Sequence, residues 1–136
     1  MNTPIEVKRY KKVLLIDDDE VDIFISNKII KATSLAEEVI TKSSAEEGLN
    51  LLNSLKNTPA DLPDIIFLDL GMPAMDGLEF LNEFRKLVDE VKTKCKIVVL
   101  TNSFDLNSTM ISEVKKNVFV KKIIMKPLTI KALEEI

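Results

Sequence analysis

The chain has no histidine, no tryptophan, one cysteine and three glycines in 136 residues. Without histidine it cannot build a His-ligated zinc centre, a Ser-His-Asp triad or a phosphohistidine relay of its own. Gly48, Gly71 and Gly77 form neither G-x-G-x-x-G nor G-x-x-x-x-G-K-S/T, which excludes a glycine-rich nucleotide cradle. A lone Cys95 forms no internal disulfide and points to a reducing, cytoplasmic setting. It lies between two cations, Lys94 and Lys96, which would lower a thiol pKa, yet it reads as an ordinary strand-entry residue. No apolar run approaches a membrane span, and the N-terminus has no signal-peptide core. Strong charge of either sign is missing too. With 19 basic and 22 acidic residues the net charge is -3, which leaves no general footprint for nucleic acid or acidic membranes. The basic segment Lys8-Arg9-Tyr10-Lys11-Lys12 reads as a solvated entry to the first strand.

What is present is a repeated pattern. Val13-Leu14-Leu15-Ile16 runs into Asp17-Asp18, and Ile65-Ile66-Phe67-Leu68 runs into Asp69. Ile97-Val98-Val99-Leu100 runs into Thr101, and Ile123-Ile124-Met125 runs into Lys126. Short β-branched runs separated by helical stretches read as buried strands of a parallel sheet. Ligand crevices of such sheets lie outside the carboxyl ends of the strands. Three acids, one hydroxyl and one ammonium should therefore meet at one edge.

Between these runs, Glu20 to Thr33 reads as an amphipathic helix with Val21, Phe24, Ile25, Lys28 and Ile29 on one side. Glu38 to Lys42 is the weakest strand. Ser44-Ala45-Glu46-Glu47 is a capping box that opens a helix through about Leu55. Asn57 to Pro63 is a polar loop. Gly77 to Lys86, about Ser108 to Lys116, and Thr129 to the terminus read as the remaining helices. Five strands alternating with five helices give a three-layer α/β sandwich by right-handed crossovers. The expected organisation is a single domain over 1–136, with 1–11 as an N-terminal extension and no segment left for an output domain. Phe24, Phe67, Phe80 and Phe84 are expected in the core, and Phe104 and Phe119 are candidates for a partner surface. Met72, Met75, Met110 and Met125 are explained by packing. Glu37-Glu38 and Glu134-Glu135 read as solvated faces.

An aspartate at a strand end can attack phosphorus, provided that the repulsion between two anions is relieved. A hard divalent cation on a few carboxylates does this, and Mg²⁺ suits such a site. Asp17 and Asp18 are suitable holders and Asp69 a suitable nucleophile. Lys126 would neutralise one phosphoryl oxygen and Thr101 would hydrogen-bond another. Three carboxylates against Mg²⁺ and Lys126 sum to zero.

Four motifs carry a resemblance: Leu14-Leu15-Ile16-Asp17-Asp18, Leu68-Asp69-Leu70-Gly71-Met72-Pro73-Ala74-Met75-Asp76-Gly77, Leu100-Thr101-Asn102 and Met125-Lys126-Pro127. Together they make nearly the whole chain similar to the receiver domains of two-component response regulators. The pattern is closest to stand-alone receivers paired with bacterial phytochrome-type kinases. The resemblance implies a flavodoxin-like sheet of order 2-1-3-4-5. It makes Asp69 the phosphoacceptor, with Asp17, Asp18, Asp69 and the carbonyl of Gly71 as Mg²⁺ ligands. Thr101 would be the switch hydroxyl and Lys126 the phosphoryl-contacting lysine, followed by a cis Pro127. Asp76-Gly77 would cap the third helix. The implied donor is a sensor histidine kinase or histidine phosphotransfer protein, and the implied output is a downstream protein target. The chain would then be a signalling phosphoacceptor whose only catalysis is of its own modification, and not an enzyme.

Three departures from the family pattern bear on switching. Ile123 stands where an aromatic residue is common, Asn102 where a small one is usual, and Lys116-Asn117-Val118-Phe119-Val120 replaces a small-residue turn. Ile123 has restricted χ1 and no polar tip. The expected change on phosphorylation is therefore a backbone shift over Asn102 to Asn107 and before Ile123. One rival reading is a haloacid-dehalogenase-type enzyme, because Asp17-Asp18-Asp19-Glu20-Val21 satisfies D-x-D-x-T/V. It leaves Asp69 and the run to Gly77 unexplained, and Asp19 alone reads as a helix cap. The other rival is a receiver-like binding module without phosphorylation.

Overall fold

The computed structural model describes residues 9–102 and 109–136. Its strands are β1 (Tyr10–Ile16), β2 (Ala36–Lys42), β3 (Ile65–Asp69), β4 (Lys96–Thr101) and β5 (Val120–Met125). They form one parallel sheet in the order β2-β1-β3-β4-β5, as expected. β1 begins at Tyr10, so the last two residues of the expected extension are strand. β2 begins at Ala36, two residues before the expected start, because pairing with β1 supplies what its thin apolar pattern does not.

Alternate side chains of the strands enter opposite cores. Leu14, Ile16, Ile66, Leu68, Ile97 and Val99 face one side, and Val13, Leu15, Ile65, Phe67, Val98 and Leu100 the other. The helices are α1 (Glu20–Thr33), α2 (Ala45–Ser54), α3 (Gly77–Phe84), α4 (Asp89–Lys94), α5 (Thr109–Lys116) and α6 (Ile130–Glu134). α2, α3, α4 and α5 supply the first core, and α1 and α6 the second. A 3₁₀ turn over Pro59–Asp61 lies within the expected loop.

The described helices number six rather than the expected five. The helix expected over Gly77 to Lys86 ends at Phe84, and α4 follows as a separate short element. Its N-cap, Val88, makes no side-chain cap hydrogen bond, which is why no start signal was visible. Asp89 and Glu90 in its first turn, Lys92 and Lys94 in its last and a buried Val91 hold it.

α1 has the expected bounds but a different rotation. Val21 and Phe24 are 65% and 63% exposed, and Ile25 is exposed as well. The inward side is Ile23, Ser26, Ile29 and Ile30, so of the expected apolar stripe only Ile29 packs on the core. Phe24 is thus not core, and Lys28 lies 5.1 Å over its ring. A period of 3.6 residues fits either stripe, and the packing of Ile23 and Ile30 on the sheet selects the less apolar one. Phe67, Phe80 and Phe84 are fully buried as expected. Phe119 meets Phe84 edge-on at 5.3 Å and so packs on the core instead of lining a free surface. Phe104 lies outside the described residues. The turn before β5 closes through Asn117, whose Oδ1 accepts from Phe119 N at 2.9 Å. The exposed apolar residue there is Val118.

The caps form where they were read. Ser44 Oγ accepts from Glu47 N at 3.1 Å, while Glu47 reaches back to Ser43 N at 3.3 Å, one residue earlier than a regular capping box. Asp76 Oδ1 accepts from Glu79 N at 2.9 Å. Glu38 pairs with Lys12 at the surface and Glu135 with Lys122. The Lys126–Pro127 peptide is cis.

Gly77 fixes the approach of α3 to the site loop. A Cβ there would lie 2.9 Å from the Leu70 Cα and 3.2 Å from the Asp69 carbonyl oxygen. Gly71 has nothing within 4 Å of the same position. Gly77→Ala is expected to lower the urea-unfolding free energy by about 1–3 kcal/mol, the usual overpacking range. Gly71→Ala should stay within about 0.5 kcal/mol. Equal effects would show that the close approach at Gly77 does not constrain the loop.

Candidate functional site

Strand register brings the polar residues together. Ile16 pairs with Leu68, Asp69 with Leu100, and Thr101 with Met125. The residues that follow or end these strands therefore stand side by side. Backbone hydrogen bonds extend the ladders past the strand ends: Asp17 N to Lys42 O at 3.1 Å, Leu70 N to Leu100 O at 3.1 Å, and Lys126 N to Thr101 O at 2.7 Å. Buried apolar strands on both faces leave these ends little freedom.

Asp17, Asp69 and Thr101 are buried and Asp18 is exposed. Carboxylate oxygens of Asp17, Asp18 and Asp69 lie within 4.8 Å of one another. Lys126 Nζ donates to Asp17 Oδ2 at 2.8 Å and lies 3.3 Å from Asp69 Oδ1. It also donates to Asp22 Oδ2 at 2.8 Å. Gly71 N donates to Asp69 Oδ1 at 3.3 Å. Asp19 turns away to cap α1, accepting from Val21 N and Asp22 N. The second acid that a dehalogenase-type site requires is thus engaged as a helix cap.

Asp22 is the residue that sequence reasoning missed. It sits in the acidic first turn of α1, five positions after Asp17, and had an ordinary helix-dipole explanation. Only the rotation of α1 places it against a lysine 104 positions away. It also alters the charge balance. Asp17, Asp18, Asp69 and Asp22 against Lys126 give a formal charge of -3, so one divalent cation leaves -1 rather than zero.

Burial pushes Asp69 up from the ordinary aspartate value to about 6, and the neighbouring Asp17 charge adds to this. Lys126 and the Gly71 N–H oppose the rise without cancelling it. Burial pulls the Lys126 ammonium down, but its hydrogen bonds to Asp17 and Asp22 and the charge of Asp69 hold it above the ordinary lysine value. It therefore stays a cation. The all-oxygen donor set, with two of its three aspartates buried beside one another, fits a hard divalent ion. Away from the site, the Cys95 thiol is pushed up to about 12 by burial and Asp64, while Lys94 pairs with Asp64 at 3.0 Å. Cys95 is the inert strand-entry residue that was expected.

Ile123 of β5 pairs with Val99 of β4 and is packed on the core formed by α2, α3, α4 and α5. Asn102 is exposed, and the rest of the expected switching segment up to Asn107 lies outside the described residues. Among the described residues no helix is long and apolar enough to cross a membrane.

A family model described as the response regulator receiver domain matches residues 13–136. A two-component response regulator from Cytophaga hutchinsonii superposes with a TM-score of 0.84 at 30% identity, over 94% of both chains. The bacteriophytochrome response regulator AtBRR superposes with a TM-score of 0.75 at 26% identity, over 92% of this chain and 88% of that one. Response regulator Rcp1 of Synechocystis is 28% identical over 82% of this chain and 76% of its own length. The chain spans only 8% to 33% of the length of other curated relatives that it matches.

The raised Asp69 value has a measurable consequence. An unfolded aspartate titrates near about 4. Between about pH 4 and 6 the folded chain therefore binds more protons at Asp69 than the unfolded chain does. Stability contributed by this group should fall as pH rises through that window and level off above it. Asp69→Asn should abolish the fall and raise the unfolding free energy at pH 7 by roughly 1–3 kcal/mol. Urea unfolding of both proteins at pH 4.5 and pH 7 checks this, with roughly parallel profiles as the contrary result.

Proposed function

The chain belongs to the response regulator receiver domain family, and on that premise we propose that it is a phosphoacceptor modified on Asp69 by a phosphohistidine partner. The observation that carries this reading is the convergence of Asp17, Asp18 and Asp69 with Lys126, whose ammonium stands 3.3 Å from Asp69 Oδ1. Asp69 brings a buried carboxylate whose elevated pKa still leaves it ionised at neutral pH. Its oxygen attacks phosphorus. The P–O bond forms as the N–P bond of the donor imidazole breaks, and the electron pair stays on the leaving nitrogen.

Asp17, Asp18, Asp69 and the Gly71 carbonyl would hold Mg²⁺, which when bound withdraws charge from the phosphoryl oxygens. Lys126 neutralises a further oxygen with a donor that is charged at any physiological pH. Thr101, buried at the end of β4 one ladder step from Lys126, offers the hydroxyl that follows the phosphoryl group. The resulting change in packing shifts the population of a protein-binding surface, and a downstream protein reads it. The donor is a sensor histidine kinase or a histidine phosphotransfer protein in the cytoplasm. The chain catalyses only its own phosphorylation and dephosphorylation.

Incubation with acetyl phosphate and Mg²⁺ should place one acid-labile phosphoryl group on Asp69, read by intact mass and peptide mapping. Asp69→Asn should abolish it. Asp17→Asn and Asp18→Asn should each raise the Mg²⁺ requirement about tenfold or more. Label on Asp17 with Asp69 untouched would falsify the assignment in favour of dehalogenase-type chemistry. Absence of label from both acetyl phosphate and a phosphohistidine protein would favour a binding module.

A further inference from the structure

Among the described residues, Asp22 is the carboxylate bound to Lys126 that the phosphoacceptor chemistry does not use. An ammonium has three N–H donors. At Lys126, Asp17 and Asp22 are each 2.8 Å from Nζ, and Asp69 is 3.3 Å away. The cation is thus drawn toward Asp17 and Asp22 more closely than toward the acceptor. The Lys126 side chain is 7% exposed, so its three donors have carboxylates rather than bulk water around them.

A phosphoryl oxygen on Asp69 needs one of those donors, and a present acceptor must yield. Asp17 is fully buried, and its Oδ1 accepts from Asp19 N at 2.9 Å. Its withdrawal would leave a buried carboxylate short of partners. Asp22 lies outside the Asp17, Asp18 and Asp69 cluster, and its side chain is 29% exposed. It can turn to water at the least loss.

We infer that Asp22 is a positioning residue that competes with the Asp69 phosphoryl group for Lys126, holding the ammonium before modification and releasing it afterwards. This rests on the phosphoacceptor reading of Asp69. Two effects follow. A charged residue at position 22 weakens the hold of the pocket on a phosphoryl group. The first turn of α1 also changes partner when Asp69 is modified, which couples that helix to the site directly.

The test is a double-mutant cycle on the full chain, with beryllofluoride as the phosphoryl probe at saturating Mg²⁺ and backbone amide shifts as the readout. Asp22→Asn should bind the probe about three- to tenfold tighter than the unchanged chain, and Asp22→Ala at least as much. In a Lys126→Ala background the Asp22→Asn change should alter affinity by less than about 1.5-fold. Amides of Val21, Asp22 and Ile23 should shift on binding in the unchanged chain and much less in Asp22→Asn. Metal-free amide spectra establish that each variant is folded. An equal gain in both backgrounds means that loss of charge alone acts, and it overturns the inference, as does unchanged or weaker binding by both Asp22 variants. Failure of the unchanged chain to bind beryllofluoride overturns the phosphoacceptor reading itself, and the role of Asp22 with it.

Discussion

Among the described residues, one ammonium among four carboxylates is the interaction on which this sheet edge depends. Asp17 and Asp69 are buried side by side, and burial alone makes that arrangement unfavourable for two anions. Lys126 reaches both from the end of β5 and is itself kept charged by them. Burial and the Asp17 charge raise Asp69 further than the lysine and the Gly71 N–H lower it, so the acceptor carboxyl stays above the ordinary aspartate value.

Such a cluster persists only because the rest of the fold leaves it nowhere to relax. β3 is buried along its whole length, and β1 and β4 are buried over the residues that lead into the site. Their ends are tied by ladder bonds that run past the strands, so Asp17, Asp69 and Lys126 begin from backbone positions fixed by neighbours. The loop after Asp69 is held from the other side. Asp76 caps α3, and Gly77 lets that helix start against the Leu70 backbone. The stability to support buried like charges comes from two apolar layers, of which Phe67, Phe80 and Phe84 are the bulkiest fully buried members.

α1 joins the electrostatics to the surface. Asp19 caps it, Asp22 in its first turn holds Lys126, and Ile23 and Ile30 pack on the sheet. The same rotation turns Val21, Phe24 and Ile25 outward. A helix so placed is in contact with the charged edge through one side chain and with solvent through an apolar stripe. Rotation of α1 is therefore not a detail of packing but the choice that decides both.

Much of this was legible in the residue pattern by itself. β-branched runs ending on Asp17, Asp69, Thr101 and Lys126 are local signals, and a parallel sheet with buried strands has few ways to arrange them. The caps at Asp19 and Ser44 were legible for the same reason, since each needs only residues two or three positions apart, while the Asp76 cap was implied by the family resemblance. What the tertiary structure decided depends on relations that no local pattern holds. α1 carries two apolar stripes, and only contact with the sheet selects Ile23 and Ile30 over Val21 and Phe24. α4 has no side-chain cap at its start and exists because Val91 finds the core. Phe119 looked free until Phe84 came within 5.3 Å. Asp22 became a partner of Lys126 only through the phase of its helix, because a Coulombic contact across 104 residues leaves no trace in the sequence near either one.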